Sequence, residues 1–288
     1  MNPNQIEIWT TLRLINWGAD YFKQKRIDSP RLTIELMLAH VLKLTRFELY
    51  LQFDRPLKDN ELDELRGMVK RRVAHEPLQY ILGESHFYRR VFEVAPGVLI
   101  PRPETELLVE EALRRQPHSL RCLDVGTGSG CIGITVALER PETEVIAIDV
   151  SAAALEVAAR NAERLGARNI TFRPVDIFDD AAVRELGSFD LVISNPPYIP
   201  SAEIPTLQAE VRDHEPVEAL TDGGDGYRFY RRFAELAPRL LRDGSSFFLE
   251  IGFGQAGRLR DLFERSGLTV SILTDLDRIE RILWAEKK

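Results

Sequence analysis

The sequence predicts an α/β protein: a mostly parallel, seven-stranded sheet covered by helices, preceded by a small helical bundle and a β-hairpin linker. Three observations carry this prediction. From Glu104 onward, short apolar runs alternate with amphipathic or alanine-rich stretches, the pattern of a parallel sheet buried on both faces. One strand-to-helix junction, at 126–130, is rich in glycine. Two strand-like runs near the end are joined by a short turn, which implies one antiparallel member.

Taken in order, residues 1–75 read as helices only. Ser29 and Pro30 supply an N-cap and a proline at the first helical position. Ile34, Leu36, Met37, Leu38, Val41 and Leu42 then form a broad apolar stripe. A polar turn at Arg55 and Pro56 leads to a helix over 61–73, where Leu62, Leu65, Met68 and Val73 fall near helical spacing. Residues 76–100 change character, with short strands at 80–83 and 92–94 forming the hairpin linker. Pro101-Arg102-Pro103 marks the start of the α/β domain, 101–288. Its strands are expected at 121–125, 145–149, 170–173, 189–194, 246–251, 268–274 and 281–284. Helices are expected at 131–139, from Ser151 as cap to 165, at 227–241 with Pro238 bending or ending it, and at 255–266. The last two strands meet at a turn over 275–277.

A chain of 288 residues, 44% of them apolar, has the material for one large domain and a small one. Its net charge of −7 argues against a protein whose main affinity comes from wrapping nucleic-acid phosphates. Lys70-Arg71-Arg72, Arg89-Arg90 and Arg231-Arg232 read as solvated basic faces, with docking of a protein or RNA surface as the alternative. Two cysteines, Cys122 and Cys131, can build neither a disulfide framework nor a cysteine-rich zinc site, and read as small packing residues. The five histidines include no His-Glu-x-x-His pattern, so no metal is expected. Residues 1–9 are polar and mixed, without a basic-then-apolar leader, and no run reaches membrane-spanning length. A soluble, cytoplasmic protein without membrane contact is the expectation.

The most informative motif is Asn195-Pro196-Pro197-Tyr198, directly after the apolar strand 189–194. Neither proline can donate to a ladder, so the strand stops at Asn195. The fixed proline φ angles hold the following carbonyls in a rigid turn. An Asn side chain and an adjacent backbone carbonyl then make a fixed pair of acceptors beside an aromatic wall. That pair suits a flat –NH2 group on an sp² carbon. The plainer alternative is an Asn-Pro turn that merely ends a strand.

In parallel sheets, ligands sit beyond the carboxyl ends of the strands, where strand order reverses. The first strand here ends in Asp124-Val125-Gly126-Thr127-Gly128-Ser129-Gly130, whose glycines let a ligand approach bare backbone. A dinucleotide fold would place a pyrophosphate on the following helix. Asp124, if it faces the ligand, would repel a pyrophosphate and suit an ammonium group. S-adenosyl-L-methionine offers that ammonium and carries no phosphate. Alternatively, Asp124 satisfies backbone N–H groups of its own turn. Asp149, at the end of the second strand, can accept both hydroxyls of a ribose, or act as a helix N-terminal charge beside Ser151. Asp176 and Ile177 follow the third strand, where an acceptor for the adenine amino group and an apolar face for its ring are expected. A surface loop is the alternative for Asp176.

The chain resembles the release factor glutamine methyltransferases, the HemK/PrmC family. The resemblance runs through Glu76-Pro77-Leu78-Gln79-Tyr80-Ile81-Leu82-Gly83, Leu99-Ile100-Pro101-Arg102-Pro103-Glu104-Thr105-Glu106, the glycine turn, Asn195-Pro196-Pro197-Tyr198-Ile199, Glu215-Pro216 with Ala219-Leu220, and Leu249-Glu250-Ile251-Gly252 with Gln255. The glycine turn is shared by many methyltransferases, and the Asn-Pro-Pro-Tyr motif by DNA adenine methyltransferases; the 76–83 and 101–106 stretches are more specific. The resemblance implies a Rossmann-like, class I S-adenosyl-L-methionine-dependent methyltransferase domain. It implies that Asp124, Val125, Gly126, Thr127, Gly128, Asp149, Ile177 and Asn195 bind the cofactor. It further implies that Asn195, Pro196, Pro197 and Tyr198 bind and activate the glutamine of a Gly-Gly-Gln motif in peptide chain release factors. The helices of residues 1–75 would help embrace the release factor, and residues 101–106 would lie across the cofactor pocket. Two positions depart from the family pattern. Arg89 stands where a glycine is usual, and Ile177 where an aromatic often faces the adenine.

An amide nitrogen is a poor nucleophile, and its proton is too weakly acidic for a general base to remove beforehand. The remaining strategy is positional: the Asn195 oxygen and the Pro196 carbonyl accept the two N–H protons and turn the lone pair toward the methyl donor. Three alternatives stand beside this reading: a glutamine methyltransferase acting on a ribosomal protein, an adenine-N6 nucleic-acid methyltransferase, and a non-catalytic S-adenosyl-L-methionine sensor. The acidic balance and the lack of an inserted recognition domain weigh against a nucleic-acid substrate. A sensor has no use for the acceptor pair.

Overall fold

In the computed structural model, residues 8–288 are described; the first seven residues of the stretch read above as leaderless lie outside them. The chain divides into two compact units after Gly83, eight residues beyond the expected end of the helical domain.

The first unit is helical: α1 (Thr11–Gln24), α2 (Pro30–Leu42), α3 (Arg46–Leu51), α4 (Asp59–Val73) and α5 (Leu78–Leu82). Of the expected stripe on α2, Ile34, Met37, Leu38 and Val41 are buried and Leu36 and Leu42 half-buried. All of these but Leu36 pack with Phe22, Leu49 and Leu65 into one core. Pro30 opens α2 as expected, whereas Ser29 sits at the cap position in a left-handed conformation and its side chain makes no cap bond. Glu35, buried on α2, receives Arg31 and Arg46 at 3.0 and 2.6 Å and the Tyr50 hydroxyl, so an acid inside the core ties α2 to α3. Arg72 is also buried and donates to the Glu76 carbonyl, so only part of the Lys70-Arg71-Arg72 face is solvated.

The strand expected at 80–83 is instead helix α5. Leu78, Ile81 and Leu82 recur at helical spacing and pack onto the helical core, and Gly83 ends the turn at φ +76°. A short apolar run fits either periodicity, and here the neighbouring helices decide.

The second unit begins with the hairpin β1 (Glu84–Phe87) and β2 (Arg90–Glu93). Its two-residue loop, Tyr88-Arg89, has φ of +49° and +61°, the signature of the tight turns that match strand twist. That explains why a glycine is at home where this chain has an exposed Arg89. Then follow α6 (Pro103–Arg115), β3 (Arg121–Val125), α7 (Cys131–Glu139), β4 (Glu144–Asp149), α8 (Ala152–Leu165), β5 (Ile170–Pro174), α9 (Asp180–Leu186), β6 (Phe189–Ser194), a 3-10 turn (Ser201–Thr206), α10 (Ala209–His214), α11 (Val217–Leu220), α12 (Arg228–Leu240), β7 (Leu241–Glu250), α13 (Ala256–Arg265), β8 (Thr269–Thr274) and β9 (Glu280–Glu286). Pro238 lies in the last turn of α12, which runs two residues past it.

The seven strands β3–β9 form one sheet in the order β5-β4-β3-β6-β7-β9-β8. Only β9 runs against its neighbours. Alternation along each strand fills two layers. Leu123, Val125, Ile146, Ile148, Val192 and Leu249 face α12 and α13. Cys122, Val145, Leu191, Ile193 and Phe248 face α6 and α7. Both cysteines are free and buried in the second layer, with the Cys131 thiol pushed up to about 12 by burial, which keeps it inert. Strand order reverses between β3 and β6, so the crevice between their carboxyl ends is where this topology leaves room for a ligand.

Candidate active site

That crevice is a cavity of about 320 Å³, within the usual range of small-ligand sites, about 300–1,000 Å³. It is lined by Val125, Gly126 and Gly128 after β3, by Asp149 at the end of β4, by Asp176 and Ile177 after β5, and by Asn195 and Pro197 after β6. The other rim is Gly97, Val98 and Leu99 together with Pro216, Glu218 and Ala219, and Phe229 of α12 also reaches in.

The glycine turn presents bare backbone. Gly126 and Gly128 hold φ of +71° and +56°, and a Cβ built on either meets nothing within 4 Å. A side chain there would project into open space that a ligand can use. Asp149 is held by two backbone donors, Gly128 N–H on Oδ2 and Ser151 N–H on Oδ1, both at 2.9 Å. It therefore serves as a helix N-terminal charge and also lines the cavity. Each oxygen keeps a lone pair for a further donor.

Asp124 does not line the cavity, which corrects the expectation of a carboxylate facing the ligand. Its strand neighbours Leu123 and Val125 point to the α12 layer, so the pleat turns Asp124 to the other face, beneath α7. There Oδ2 accepts from the Thr127 hydroxyl at 2.6 Å and from Gly133 N–H at 2.9 Å, while the buried Oδ1 has no hydrogen-bond partner among the described residues. Burial raises this carboxyl to about 7. Thr127, itself buried, likewise works from behind the turn.

After β5, Asp176 is exposed and folds its carboxylate onto Phe178 N–H at 2.9 Å while remaining at the cavity edge. Ile177 is buried. Arg232 donates to the Ile177 carbonyl at 2.8 Å and pairs with Asp180, so this arginine is a strut rather than a free basic face.

At the end of β6 the Asn195 amide donates from Nδ2 to Thr105 Oγ1 at 3.1 Å. Among the described residues nothing donates to Asn195 Oδ1 or to the Pro196 carbonyl. Pro196 is buried and Pro197 faces the cavity. Tyr198 donates its hydroxyl to Glu250 Oε1 at 3.1 Å. Burial, and then the Glu250 charge, push the phenol far above its ordinary value, so it stays a donor. The Tyr198 carbonyl receives Gln255 Nε2 at 3.0 Å. Gly226 packs so closely that a Cβ there would lie 2.2 Å from the same carbonyl.

None of residues 101–106, expected to lie across the cavity, lines it; that part of the lining comes from residues 97–99. Arg102 pairs with the buried Glu215 at 2.6 Å, and Glu215 also accepts from Ile100 N–H at 3.3 Å. This ties the two segments of that rim to each other. Glu106 accepts from Tyr88 N–H at 3.0 Å and so anchors the hairpin loop. Thr105, Glu215, Glu250 and Gln255 were not among the expected site residues, although all lie in motifs noted above. The signal for Glu250 was an acid closing the apolar run Phe247-Phe248-Leu249.

Known proteins agree with this architecture. Residues 13–83 match the family described as PrmC N-terminal domain, and residues 118–250 match a methyltransferase domain. A release factor glutamine methyltransferase of Geobacter sulfurreducens is 45% identical over 91% of this chain and 90% of its own length. One of Chlorobaculum tepidum is 43% identical over 96% of each chain. Among solved structures, the hMettl16 catalytic domain in complex with an RNA hairpin superposes with a TM-score of 0.54 at 15% identity, over 82% of this chain and 84% of that one. A methyltransferase from Pyrococcus furiosus gives 0.50 at 18%, over 79% and 98%. These two share the fold. Identity of this extent over nearly the whole length, a methyltransferase domain and the matching N-terminal family show that this chain is a methyltransferase and belongs to the release factor glutamine methyltransferase family.

Proposed function

We propose that this enzyme methylates the side-chain amide nitrogen (N5) of the glutamine in the Gly-Gly-Gln motif of bacterial peptide chain release factors, in the cytoplasm, with S-adenosyl-L-methionine as methyl donor. The observation that carries the reading is a pair of acceptors next to each other in sequence, Asn195 Oδ1 on a residue that lines the cavity and the carbonyl of the following Pro196, to neither of which any described residue donates.

The residues present fit the cofactor. Asp149 would take the ribose hydroxyls, Ile177 and Phe229 the adenine ring, and the open backbone at Gly126 and Gly128 the remainder beside Val125. Asp124 and Thr127 would hold that turn from behind. When bound, the cofactor supplies an electrophilic methyl group on a sulfonium.

The protein's own work is positional. Asn195 Oδ1 and the Pro196 carbonyl accept the two amide protons of the glutamine and leave its lone pair directed into the cavity. The same two oxygens stabilise the positive charge that grows on nitrogen, an effect worth about 3–4 kcal/mol where a single oriented dipole acts on developing charge. Pro197 and Tyr198 wall the amide and exclude water. Tyr198 stays protonated and is no base, and none is needed, because the methylated nitrogen is acidic enough to lose its proton to solvent. The helical unit offers a release factor an apolar cavity of about 420 Å³ lined by Trp9, Trp17, Tyr21, Leu62 and Val69.

Incubation with S-adenosyl-L-methionine and an unmethylated release factor, followed by mass spectrometry of the Gly-Gly-Gln peptide, tests the proposal. One added methyl on the glutamine, lost in Asn195→Ala, supports it. An unmodified peptide with intact cofactor binding overturns the substrate and turns the search to ribosomal proteins and then to adenine.

A further inference from the structure

We propose that Glu250 is a positioning residue that, through Thr105, sets which way round the Asn195 carboxamide faces, and through its second oxygen holds Tyr198. The inference rests on the acceptor-pair reading above and deepens it.

Glu250 closes β7 and is 3% exposed. Its Oε2 accepts the Thr105 hydroxyl at 2.6 Å, and its Oε1 accepts the Tyr198 hydroxyl at 3.1 Å. Burial raises the Glu250 carboxyl, and the Thr105 and Tyr198 hydroxyls it accepts oppose that rise; in the ionised form it only accepts hydrogen bonds, so the single Thr105 proton is spent on Glu250. Thr105 Oγ1 then has only lone pairs left for Asn195, 3.1 Å away, and only the Nδ2 half of the amide can face it. The Oδ1 half is turned to the free side.

This polarity matters because the two halves of a carboxamide are nearly the same size. Packing alone does not choose between them; hydrogen bonds do. The reversed amide would aim an –NH2 at the substrate –NH2, two donors with no acceptor between them. A chain of three groups on three elements, separated by 145 and 90 residues in sequence, thus fixes one acceptor of the pair. The charge at its far end also polarises the chain in the direction that strengthens Asn195 Oδ1 as an acceptor.

Thr105→Val removes the hydroxyl at nearly constant volume. Expected is a fall in kcat of about 10- to 100-fold, with KM for the release factor and the cofactor Kd unchanged. Thr105→Ser, which restores the hydroxyl but not the methyl, recovers most of the loss. In an Asn195→Ala background Thr105→Val causes no further loss. A packing role predicts the reverse ranking of Val and Ser. Native-like kcat in Thr105→Val, failure of Thr105→Ser to rescue, or losses that multiply with Asn195→Ala would each overturn the relay. Should Thr105→Val not fold, Thr105→Ala, which cannot clash, is read in its place. The side-chain 15N–1H pair of Asn195, observed in cofactor-loaded protein without substrate, separates this inference from the substrate assignment. Thr105 substitution shifts those resonances and speeds their exchange if the relay holds, and leaves them in place if it does not. That spectrum stands even if the Gly-Gly-Gln peptide proves to be unmodified.

Discussion

The two turns that flank the cavity, after β3 and after β6, are built on the same plan and present opposite chemistry. Each has a buried carboxylate behind it, Asp124 for the glycine turn and Glu250 for the Asn-Pro-Pro-Tyr turn. The glycine turn presents bare backbone to the cavity and keeps its acid hidden, with one oxygen unpartnered among the described residues. The second turn shows acceptors, and its acid is fully committed to Thr105 and Tyr198. The difference teaches a division of labour. One turn is shaped to admit a molecule closely, and the other to orient a polar group. In both, the buried carboxyl that shapes the turn stands away from the cavity rather than lining it.

The largest expected effect breaks the second turn. Asn195→Ala should lower kcat by about 10²–10³-fold while the melting temperature holds, as seen by steady-state methylation and thermal unfolding.

Next comes the acid behind the first turn. The Asp124 carboxyl is raised by burial to about 7 in the folded protein, against about 3.9 in an unfolded chain. Between those values the folded state binds more protons, so its contribution to stability is full below about pH 4 and is lost as pH rises through about 7. Asn does not titrate. Asp124→Asn should therefore gain on the native protein by up to a few kcal/mol between pH 4 and 8, read by urea unfolding without cofactor. A difference that is flat with pH would show the carboxylate already ionised throughout that range.

Asp149→Ala removes the one acid that lines the cavity from a strand end. Loss of charged hydrogen bonds worth about 1.5–3 kcal/mol should weaken cofactor binding about 10- to 100-fold in titration calorimetry. The smallest effect sharpens the contrast by moving to a turn with no ligand. Arg89 holds φ +61° in the hairpin loop, so Arg89→Gly should stabilise the protein by about 1 kcal/mol. Gly128→Ala, at φ +56°, should cost a similar amount and reduce cofactor affinity as well. Equal and purely structural effects at both positions would erase the distinction between the two kinds of turn.

Much of the second unit was legible in the sequence because its signals are local. Glycine and proline punctuate the strands, the strand ends carry Asp149 and Asn195, and the alternation of strand and helix sets the layering. Counting the pleat from Leu123 would also have turned Asp124 away from the ligand. What escaped depends on long-range contact. Thr105 is one residue of a motif in the first turn of α6, and its role at the site shows only through a strand end 145 residues away. Gln255 and Glu215 likewise act on segments distant in sequence. The misread stretch at 80–83 failed for the same reason, since tertiary packing chose between two periodicities that four residues cannot separate.

Single-turnover methyl transfer to a release factor across a titration of S-adenosyl-L-methionine, run on Asp149→Ala and Asn195→Ala side by side, tests the division of labour most directly. The expected result is crossed. Asp149→Ala reaches the native rate at saturation but needs far more cofactor, whereas Asn195→Ala saturates near the native concentration at a rate that stays low. If both variants lose the same quantity, the two turns share one task and the division is wrong.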